Sequence, residues 1–325
     1  MEQEKNNNIG LDELISQAND GFTKYVKDNN VKELIRAIGL FPDQTITNDV
    51  LILSQKPNAT CVKRMKEWNF YRRAVKKSEK AIKVVSHYLD KRDVAYNDDN
   101  GNVITKGAEK LKTNVGYLFD ISQTEGKEYE YLNSNKETIA AHFEAAKTAL
   151  EKTARGFQVK YQDQEQNSTI DMENKTIFIK DGMSIDDVLQ TLIDNVSQVL
   201  LAARTGEGLQ DKEEFEKNAV IYAVNSKLGL DLPKYNFDVA NLDNEGVELL
   251  KGNLQRVRSV TKQMLSNVES SIEHAVRNLE KKMADELDKG KEKEEVQKTQ
   301  EEVQPEPKPK ATRTRKKKES EVVNA

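Results

Sequence analysis

The longest regular pattern in the 325-residue chain runs from Gly246 to Leu287. Apolar side chains recur there at steps of three and four residues, the spacing that lines one face of an α-helix. They are Val247, Leu250, Leu254, Val257, Val260, Met264, Val268, Ile272, Val276, Leu279 and Met283. The pattern predicts one long helix or a pair of helices, which either packs against the core of the protein or mediates self-association.

Two further amphipathic helices are predicted between Leu11 and Leu40, because apolar residues recur there at helical spacing. Gly39 and Pro42 are expected to end the second of them. The next segment, Thr45 to Leu53, is short and rich in β-branched residues, so a strand and a buried helix both remain open. A short helix is expected to begin within Cys61 to Trp68.

Strands are predicted next, at Ala81 to Val85 and at Val115 to Ile121. The polar stretch between them, from Tyr96 to Gly107, predicts a hairpin or an exposed excursion around Asn100 and Gly101.

Residues Leu132 to Ala154 have helical spacing, and Gly156 follows where a helix C-cap favours glycine. The short alternating segments Phe157 to Tyr161 and Thr169 to Lys180 predict a small antiparallel sheet. Two helices should follow, Ser184 to Ala203 with Ser184 as N-cap and Lys212 to Leu228 closed by Gly229.

Composition argues against a membrane protein. Charged residues make up 33% of the chain and the mean hydropathy is −0.78. The longest apolar run, Val199 to Ala203, is far shorter than the roughly 18 residues of a membrane span. The first ten residues lack the pattern of a secretory signal, and the single cysteine, Cys61, cannot form an intramolecular disulfide. A soluble protein of the reducing cytoplasm is therefore expected.

Positive charge is concentrated in one segment. Residues 48–92 contain twelve Lys and Arg against four Asp and Glu, which is 12 − 4 = +8 in a chain of net charge −4. Trp68, Phe70 and Tyr71 lie within this segment. A surface for single-stranded nucleic acid needs both cations for the phosphates and aromatic rings for the exposed base faces. The alternative is that Trp68 is a core residue and the lysines form an ordinary solvated face.

The candidate nucleic-acid-binding residues are therefore cations and rings of this segment. They are Lys56, Lys63, Arg64, Trp68, Tyr71, Arg72, Arg73, Lys76, Lys77, Lys80 and Lys83.

Three motifs of this region occur in a recognisable order. The segment TITNDVLILSQKPNAT is followed by a single Trp, by RRAVKKSEKAI, and by YLFDISQTEG at Tyr117 to Gly126. Together they resemble the N-terminal domain of ArdC-type antirestriction proteins. The resemblance implies a domain that binds single-stranded DNA without strong sequence preference, in proteins carried by plasmids, conjugative elements and phages. The family usually has glycine where this chain has Arg72 and Ser78.

The same resemblance implies a C-terminal domain similar to zinc metallopeptidases, with His-Glu-x-x-His on a helix and a further carboxylate on the next. Here the matching positions are Asp194, Asn195, Gln198 and Asn218. These residues supply neither the usual zinc ligands nor a carboxylate base, so no catalytic residue, metal or cofactor is expected. A rebuilt cation site, using Asp194, Gln198 and Asn218 or Glu216, is the alternative.

The predicted fold class is α+β, in five segments. They are an N-terminal mixed α/β DNA-binding domain (1–130), a helical connector (131–155), a degenerate zincin-like domain with a small sheet and helices (156–240), a long helical segment (241–289) and a disordered charged tail (290–325). The tail carries a basic cluster, Arg313 and Arg315 to Lys318, which would either add weak affinity for nucleic acid or only keep the tail soluble.

Two functions from different classes follow. The first is a non-enzymatic single-stranded-DNA-binding protein of a mobile element, which protects DNA from host restriction during transfer or replication. The second is a pseudo-peptidase adaptor that binds a host protein such as a restriction enzyme. A working metallopeptidase is a third reading, which stoichiometric zinc in the purified protein would support. The oligomeric state and the preference between DNA and RNA stay open.

Overall fold

The computed structural model describes residues 10–97, 103–128, 136–204 and 212–302. The fold is mixed α+β, as predicted, and the chain divides into one compact unit over residues 1–275 and a second from 276 onward. The helices are α1 (Leu11–Lys27), α2 (Val31–Leu40), α3 (Ile46–Gln55), α4 (Met65–Phe70), α5 (Lys136–Ala141), α6 (Phe143–Thr153), α7 (Ile185–Ala202), α8 (Lys212–Leu228) and α9 (Asn244–Glu302). The strands are β1 (Val62–Lys63), β2 (Arg73–Val75), β3 (Ile82–Asn97), β4 (Val103–Asp120), β5 (Thr124–Gly126), β6 (Gln158–Gln162), β7 (Ser168–Asp171) and β8 (Thr176–Lys180).

The two N-terminal helices are confirmed as α1 and α2, but Gly39 has a different role from the one predicted. It lies inside α2, where a Cβ would overlap the backbone carbonyl of Ala223 in α8. Gly39 therefore permits the close approach of α2 to α8, and the helix ends at Leu40, before Pro42.

The segment that could not be assigned from its pattern is a helix, α3. Thr45 caps it by accepting a hydrogen bond from the Asn48 amide at 3.1 Å. Every residue from Asn48 to Leu53 is buried, because α3 packs against α1, α2 and β3. A helix enclosed in this way lacks the one-sided apolar stripe on which sequence assignment depends.

Strands β3 and β4 form an antiparallel hairpin that is longer than the sequence pattern indicated. The register runs from Ile82 opposite Leu118 to Asn97 opposite Val103. The predicted polar excursion is thus largely the far part of this hairpin, and its expected turn at Asn100 and Gly101 lies outside the described residues. Strand β1 pairs antiparallel with the other edge of β4, which gives the sheet order β1-β4-β3.

The second half of the unit contains a three-stranded sheet of order β6-β8-β7. The prediction of an all-antiparallel sheet is wrong, because β6 runs parallel to β8 and only β7 is antiparallel to it. Alternation of apolar and polar residues identifies strands but carries no information on their direction.

The helices around this sheet lie close to their predicted bounds. The predicted helix Leu132 to Ala154 is two helices, α5 and α6, with His142 between them, and its first residues lie outside the described ranges. Ser184 caps α7 as expected, and α8 has the predicted bounds. Gly229 follows α8 with φ of +67°, a backbone conformation that favours glycine.

The long amphipathic pattern is one helix, α9. Its pattern residues from Leu250 to Ile272 are buried, so this part packs into the core of the first unit. Beyond it, in the second unit, Leu279 and Met283 are exposed. The helix continues to Glu302, and the rest of the predicted tail with its basic cluster lies outside the described residues. Within the described ranges, no helix has the length and apolar character needed to cross a membrane.

Candidate nucleic-acid interface

A small apolar cluster lies beneath the basic segment. Cys61, Trp68 and Phe119 are buried in it, and Tyr71 and Val75 pack against it. Trp68 is 0% exposed, and its indole Nε1 donates to the Phe119 carbonyl at 2.8 Å. A base cannot stack on a ring that is sealed in this way, so the prediction of Trp68 as a binding residue is wrong. Its role is to hold α4 against β4.

Cys61 belongs to the same cluster as a packed thiol. Burial raises the pKa of Cys61, because the charged thiolate is disfavoured away from water. The thiol is therefore unsuited to nucleophilic chemistry.

The motif YLFDISQTEG forms the scaffold of the basic segment, as predicted. Asp120 is buried, and its Oδ1 accepts from the amides of Thr60 at 2.8 Å and Cys61 at 3.0 Å. Its Oδ2 accepts from the Ser122 amide at 2.9 Å. One carboxylate thus joins the entry to β1 with the turn that follows β4.

Gln123 fixes the loop that carries the paired lysines. Its carbonyl accepts from the Lys76 amide at 2.9 Å. Its side-chain Nε2 donates to the Lys80 carbonyl at 2.8 Å and to Glu79 Oε2 at 2.9 Å. Because Gln123 is buried, it gives the loop from Lys76 to Lys80 a defined shape at the surface.

Arg73 is also part of this scaffold. Its guanidinium donates to Thr124 Oγ1 at 2.9 Å, to the Thr124 carbonyl at 3.0 Å and to the Lys127 carbonyl at 2.6 Å. These bonds connect β2 to β5, so the Arg73 side chain stabilises the fold. Replacing it would test folding more than nucleic-acid binding.

The two positions where the resembled family has glycine both adopt positive φ. Arg72 has φ of +57° and Ser78 has φ of +69°. Arg72 follows the end of α4, and its carbonyl accepts from the Lys127 amide at 3.1 Å. Gly126 has φ of +135° and packs so closely that a Cβ would overlap the Arg72 carbonyl. The backbone shape that glycine favours is therefore kept in this chain with side chains in place.

Ser78 occupies the third position of a turn in which the Glu79 amide bonds to the Lys76 carbonyl at 3.4 Å. Positive φ at that position favours glycine. We expect Ser78→Gly to raise the free energy of unfolding by up to about 1 kcal/mol, since the relief of left-handed strain exceeds the added entropy of the unfolded chain. Urea denaturation measures the change. Ser78→Ala is the matched control, because it keeps the strain, and an equal gain in that variant would contradict the explanation.

The remaining cations differ in how far they are engaged. Lys63 Nζ lies 5.3 Å from the centre of the Tyr71 ring, Arg64 Nη2 donates to Ser86 Oγ at 3.1 Å, and Lys76 Nζ donates to the Ser122 carbonyl at 2.9 Å. Lys56 and Lys83 lie at the junction of α3 with β3, where Gln55 bonds to the Lys83 backbone. Arg64 and Lys76 are exposed as well as engaged, and the other exposed cations of α4 and the loops around β2 are Lys66, Arg72, Lys77 and Lys80.

Phe70 is the most exposed aromatic ring among the described residues of this region. It is 81% exposed and meets Tyr71 edge to face, with 5.2 Å between ring centres. Sequence reasoning placed Phe70 in the aromatic cluster but left it out of the binding residues. A signal was available, because residues two apart on a helix point about 200° apart, so burial of Trp68 turns Phe70 outward. Phe70, Lys66, Arg72, Lys77 and Lys80 are named the basic surface below.

Two of the positions that resemble a lost zinc site, Asp194 and Asn195, are engaged in other contacts, as is Glu216 of the alternative cation site. Asp194 Oδ1 lies 3.2 Å from Lys217 Nζ, and Glu216 Oε1 lies 2.6 Å from Arg256 Nη2. Asn195 is buried and donates to Ser168 Oγ at 2.8 Å. In the described part of the chain, no group of three or more His, Cys, Asp or Glu is arranged to hold a metal ion. The rebuilt cation site is disfavoured because both of its carboxylates are paired with cations.

No protein-family profile and no curated protein sequence matches the chain. Among solved structures, the metal-free structure of the antirestriction protein ArdC from plasmid R388 matches with 14% identity and a TM-score of 0.36, over 71% of this chain and 85% of that one. The Mn(II)-bound structure of the R388 protein gives 14% identity and a TM-score of 0.35, over 68% of this chain and 87% of that one.

Proposed function

We propose that the protein binds single-stranded DNA through the basic surface and has no enzymatic activity. The observation that carries the proposal is the exposed Phe70 ring, one helical turn from Lys66 on α4 and two residues before Arg72, in a segment whose backbone is fixed by Asp120 and Gln123. Unpaired strands present both phosphates and base faces, whereas duplex DNA hides its base faces. One aromatic platform contributes about 1–3 kcal/mol per stacked base, and the cations contribute affinity that is independent of sequence.

The conformation of Arg72 also supports binding. A side chain at φ of +57° costs roughly 1–2 kcal/mol relative to glycine. The scaffold maintains this conformation through the Lys127 amide, and the guanidinium it presents is exposed. Backbone strain of this kind concentrates at functional sites, and among the described residues the Arg72 side chain makes no hydrogen bond or ion pair that would offset the cost.

The biological role proposed is protection of the DNA of a mobile element, such as a plasmid, conjugative element or phage, from host restriction during transfer or replication. It rests on the motifs at Thr45 to Thr60, Arg72 to Ile82 and Tyr117 to Gly126. A protein that coats unpaired DNA without reading its sequence suits this role, because the DNA to be protected is arbitrary in sequence.

A salt titration tests the binding mode. With four exposed cations on phosphates, log affinity for single-stranded DNA is expected to fall against log salt with a slope of about −3, since each contact contributes about −0.7. Fluorescence anisotropy with labelled oligonucleotides measures it, with duplex DNA and RNA of the same sequence as comparisons. A slope near zero, or duplex bound as tightly as the single strand, would contradict the proposal.

A second candidate function is a pseudo-peptidase adaptor that binds a host protein such as a restriction enzyme. The observation in its favour is an apolar pair on the second unit, Leu279 at 51% and Met283 at 64% exposure. The two functions separate in a transfer assay of unmodified plasmid into a restricting host. The adaptor requires Leu279 and Met283 and tolerates loss of the basic surface, whereas DNA shielding has the opposite requirement.

A further inference from the structure

A second exposed ring, Tyr117, lies on the sheet formed by β1, β4 and β3. Side chains alternate between the two faces of a strand, so Val115, Tyr117 and Phe119 of β4 share one face. Val115 packs against a cluster that includes Leu14 of α1, and Phe119 is buried with Trp68 of α4. Tyr117 lies between these two covered positions and is 50% exposed. The sheet face is therefore open at this ring.

Two lysines flank Tyr117 on the same face, and both are partly exposed. Lys83 of β3 is its direct cross-strand partner, a position that brings Cβ atoms to about 4.5–5.5 Å. Lys63 of β1 is paired with Phe119, which makes it a diagonal neighbour of Tyr117 at about 7–8 Å. Tyr117 is thus a ring between two cations, the combination that a single-stranded nucleic acid requires.

Two carboxylates that share a small cavity with Lys63 are paired with other cations. They are Asp43 and Glu269. Asp43 Oδ1 lies 2.8 Å from Lys262 Nζ, and Glu269 Oε1 lies 3.6 Å from Lys227 Nζ. The ammonium of Lys63 is therefore not their principal counterion, and it can pair with a phosphate.

Lys63 also connects Tyr117 with the basic surface. Its Nζ lies 5.3 Å from the centre of the Tyr71 ring, and Tyr71 meets Phe70 at 5.2 Å between ring centres. With the diagonal step from Lys63 to Tyr117 added, the path from Phe70 to Tyr117 is on the order of 20 Å. Stacked nucleotides are about 3.4 Å apart along one strand, so about six of them cover this path, and an extended strand needs fewer.

We propose that Tyr117 is a second base platform, on which the DNA strand held by the basic surface stacks a further base while Lys63 and Lys83 contact its phosphates. The inference rests on the proposed function and extends the contact from α4 onto the sheet. It gives a role to Lys63 and Lys83, which the sequence predicted as binding residues and which lie outside the basic surface. A duplex offers its base faces to neither ring, so a second platform increases the preference for unpaired DNA.

The test compares oligothymidylates of three and of twelve nucleotides by fluorescence anisotropy at low salt. The shorter strand does not reach from Phe70 to Tyr117, so it occupies the basic surface, where exposed cations are more numerous. Tyr117→Thr removes the ring and introduces a residue suited to strands. This variant should bind the twelve-nucleotide strand about 10-fold more weakly and the three-nucleotide strand nearly as well as the wild type does, because only the longer strand spans both rings.

Two further variants are the controls. Tyr117→Phe keeps the ring and should bind both strands as the wild type does. Tyr88→Thr removes a ring that is 44% exposed on β3 but lies on the opposite face from Lys83, and it should also bind normally.

Three results would overturn the second platform while wild-type binding is intact. They are an unchanged affinity of Tyr117→Thr for the longer strand, an equal loss in Tyr88→Thr, and a loss of equal size with both strands, which would assign the effect to the fold. Failure of the wild type to bind either strand would overturn the proposed function and this inference together, so the two failures are distinguishable.

Discussion

Replacing Lys66, Lys77 and Lys80 together with glutamine is expected to lower affinity for single-stranded DNA on the order of 100-fold at about 0.1 M salt. The three ammonium groups are exposed, and their carbon chains contribute little to the core. Loss of three phosphate contacts removes about 2 from the slope of log affinity against log salt, and at about 0.1 M that change equals about two decades. Anisotropy titrations at several salt concentrations give both numbers from one series.

A second substitution separates charge from stacking. Phe70→Ala should lower affinity about 10-fold while leaving the salt slope intact, because the ring contributes through base stacking and not through counterion release. The two kinds of variant therefore change different parameters of the same curve. If Phe70→Ala changed the slope as much as the triple variant, the ring would be acting through the arrangement of its neighbours.

The matched control is Lys152, Lys160 and Lys234 replaced by glutamine. These residues are also exposed lysines, but they lie on α6, on β6 and in the segment after α8. The control changes net charge by the same amount, so any effect of overall charge appears in both variants. An equal loss of affinity in the control would show that binding is spread over the molecule, and the basic surface would lose its special role.

The sequence located this surface but did not distinguish the cations that are available to bind nucleic acid from the cations that stabilise the fold. Segregated charge and the order of motifs can be read along the chain. The structural role of Arg73 cannot be read in this way, because its partner Thr124 is 51 residues away in the sequence and contacts Arg73 only when β2 pairs with β5. Trp68 was ambiguous for a related reason, since α4 is too short to show a periodic apolar face.

Fold prediction succeeded where the signals for an element lie within the element itself and failed where they come from residues distant in the sequence. Helix α7 was recognisable because its cap, Ser184, and its apolar face are all local. Helix α3 was not, because its burial on most faces comes from α1, α2 and β3. The direction of β6 relative to β8 depends on how the chain crosses between strands, which periodicity does not record.

Removing Arg258 is expected to produce the largest loss of stability, about 3–5 kcal/mol at pH 8.5. Asp49 in α3 is completely buried, and Arg258 is its cationic partner. Arg258→Met keeps much of the side-chain volume and removes the charge, so it leaves a buried carboxyl without a counterion. Urea denaturation gives the free energy of unfolding. If the variant does not fold at pH 8.5, a series of measurements upward from pH 6, where the raised pKa keeps Asp49 largely protonated, follows the deficit as it develops.

The pH dependence identifies the carboxyl as the cause. Burial raises the pKa of Asp49 to about 7, against the opposing effect of Arg258. A raised folded-state pKa stabilises the fold below the unfolded pKa, and that contribution is lost as the pH rises through the folded value. Without Arg258 the folded pKa rises further, so the variant keeps losing stability above pH 7 while the wild type levels off. The difference should widen by up to about 1.4 kcal/mol per pH unit.

A double variant completes the argument. Asp49→Asn combined with Arg258→Met leaves no buried charge, and replacement of a buried ion pair by neutral groups is often close to neutral for stability. The double variant should therefore be more stable than Arg258→Met alone at pH 8.5, with little dependence on pH. A single variant whose deficit stayed constant from pH 6 to pH 9 would attribute the loss to the packing of α9 and the bond to the Phe41 carbonyl instead of the unpaired carboxylate.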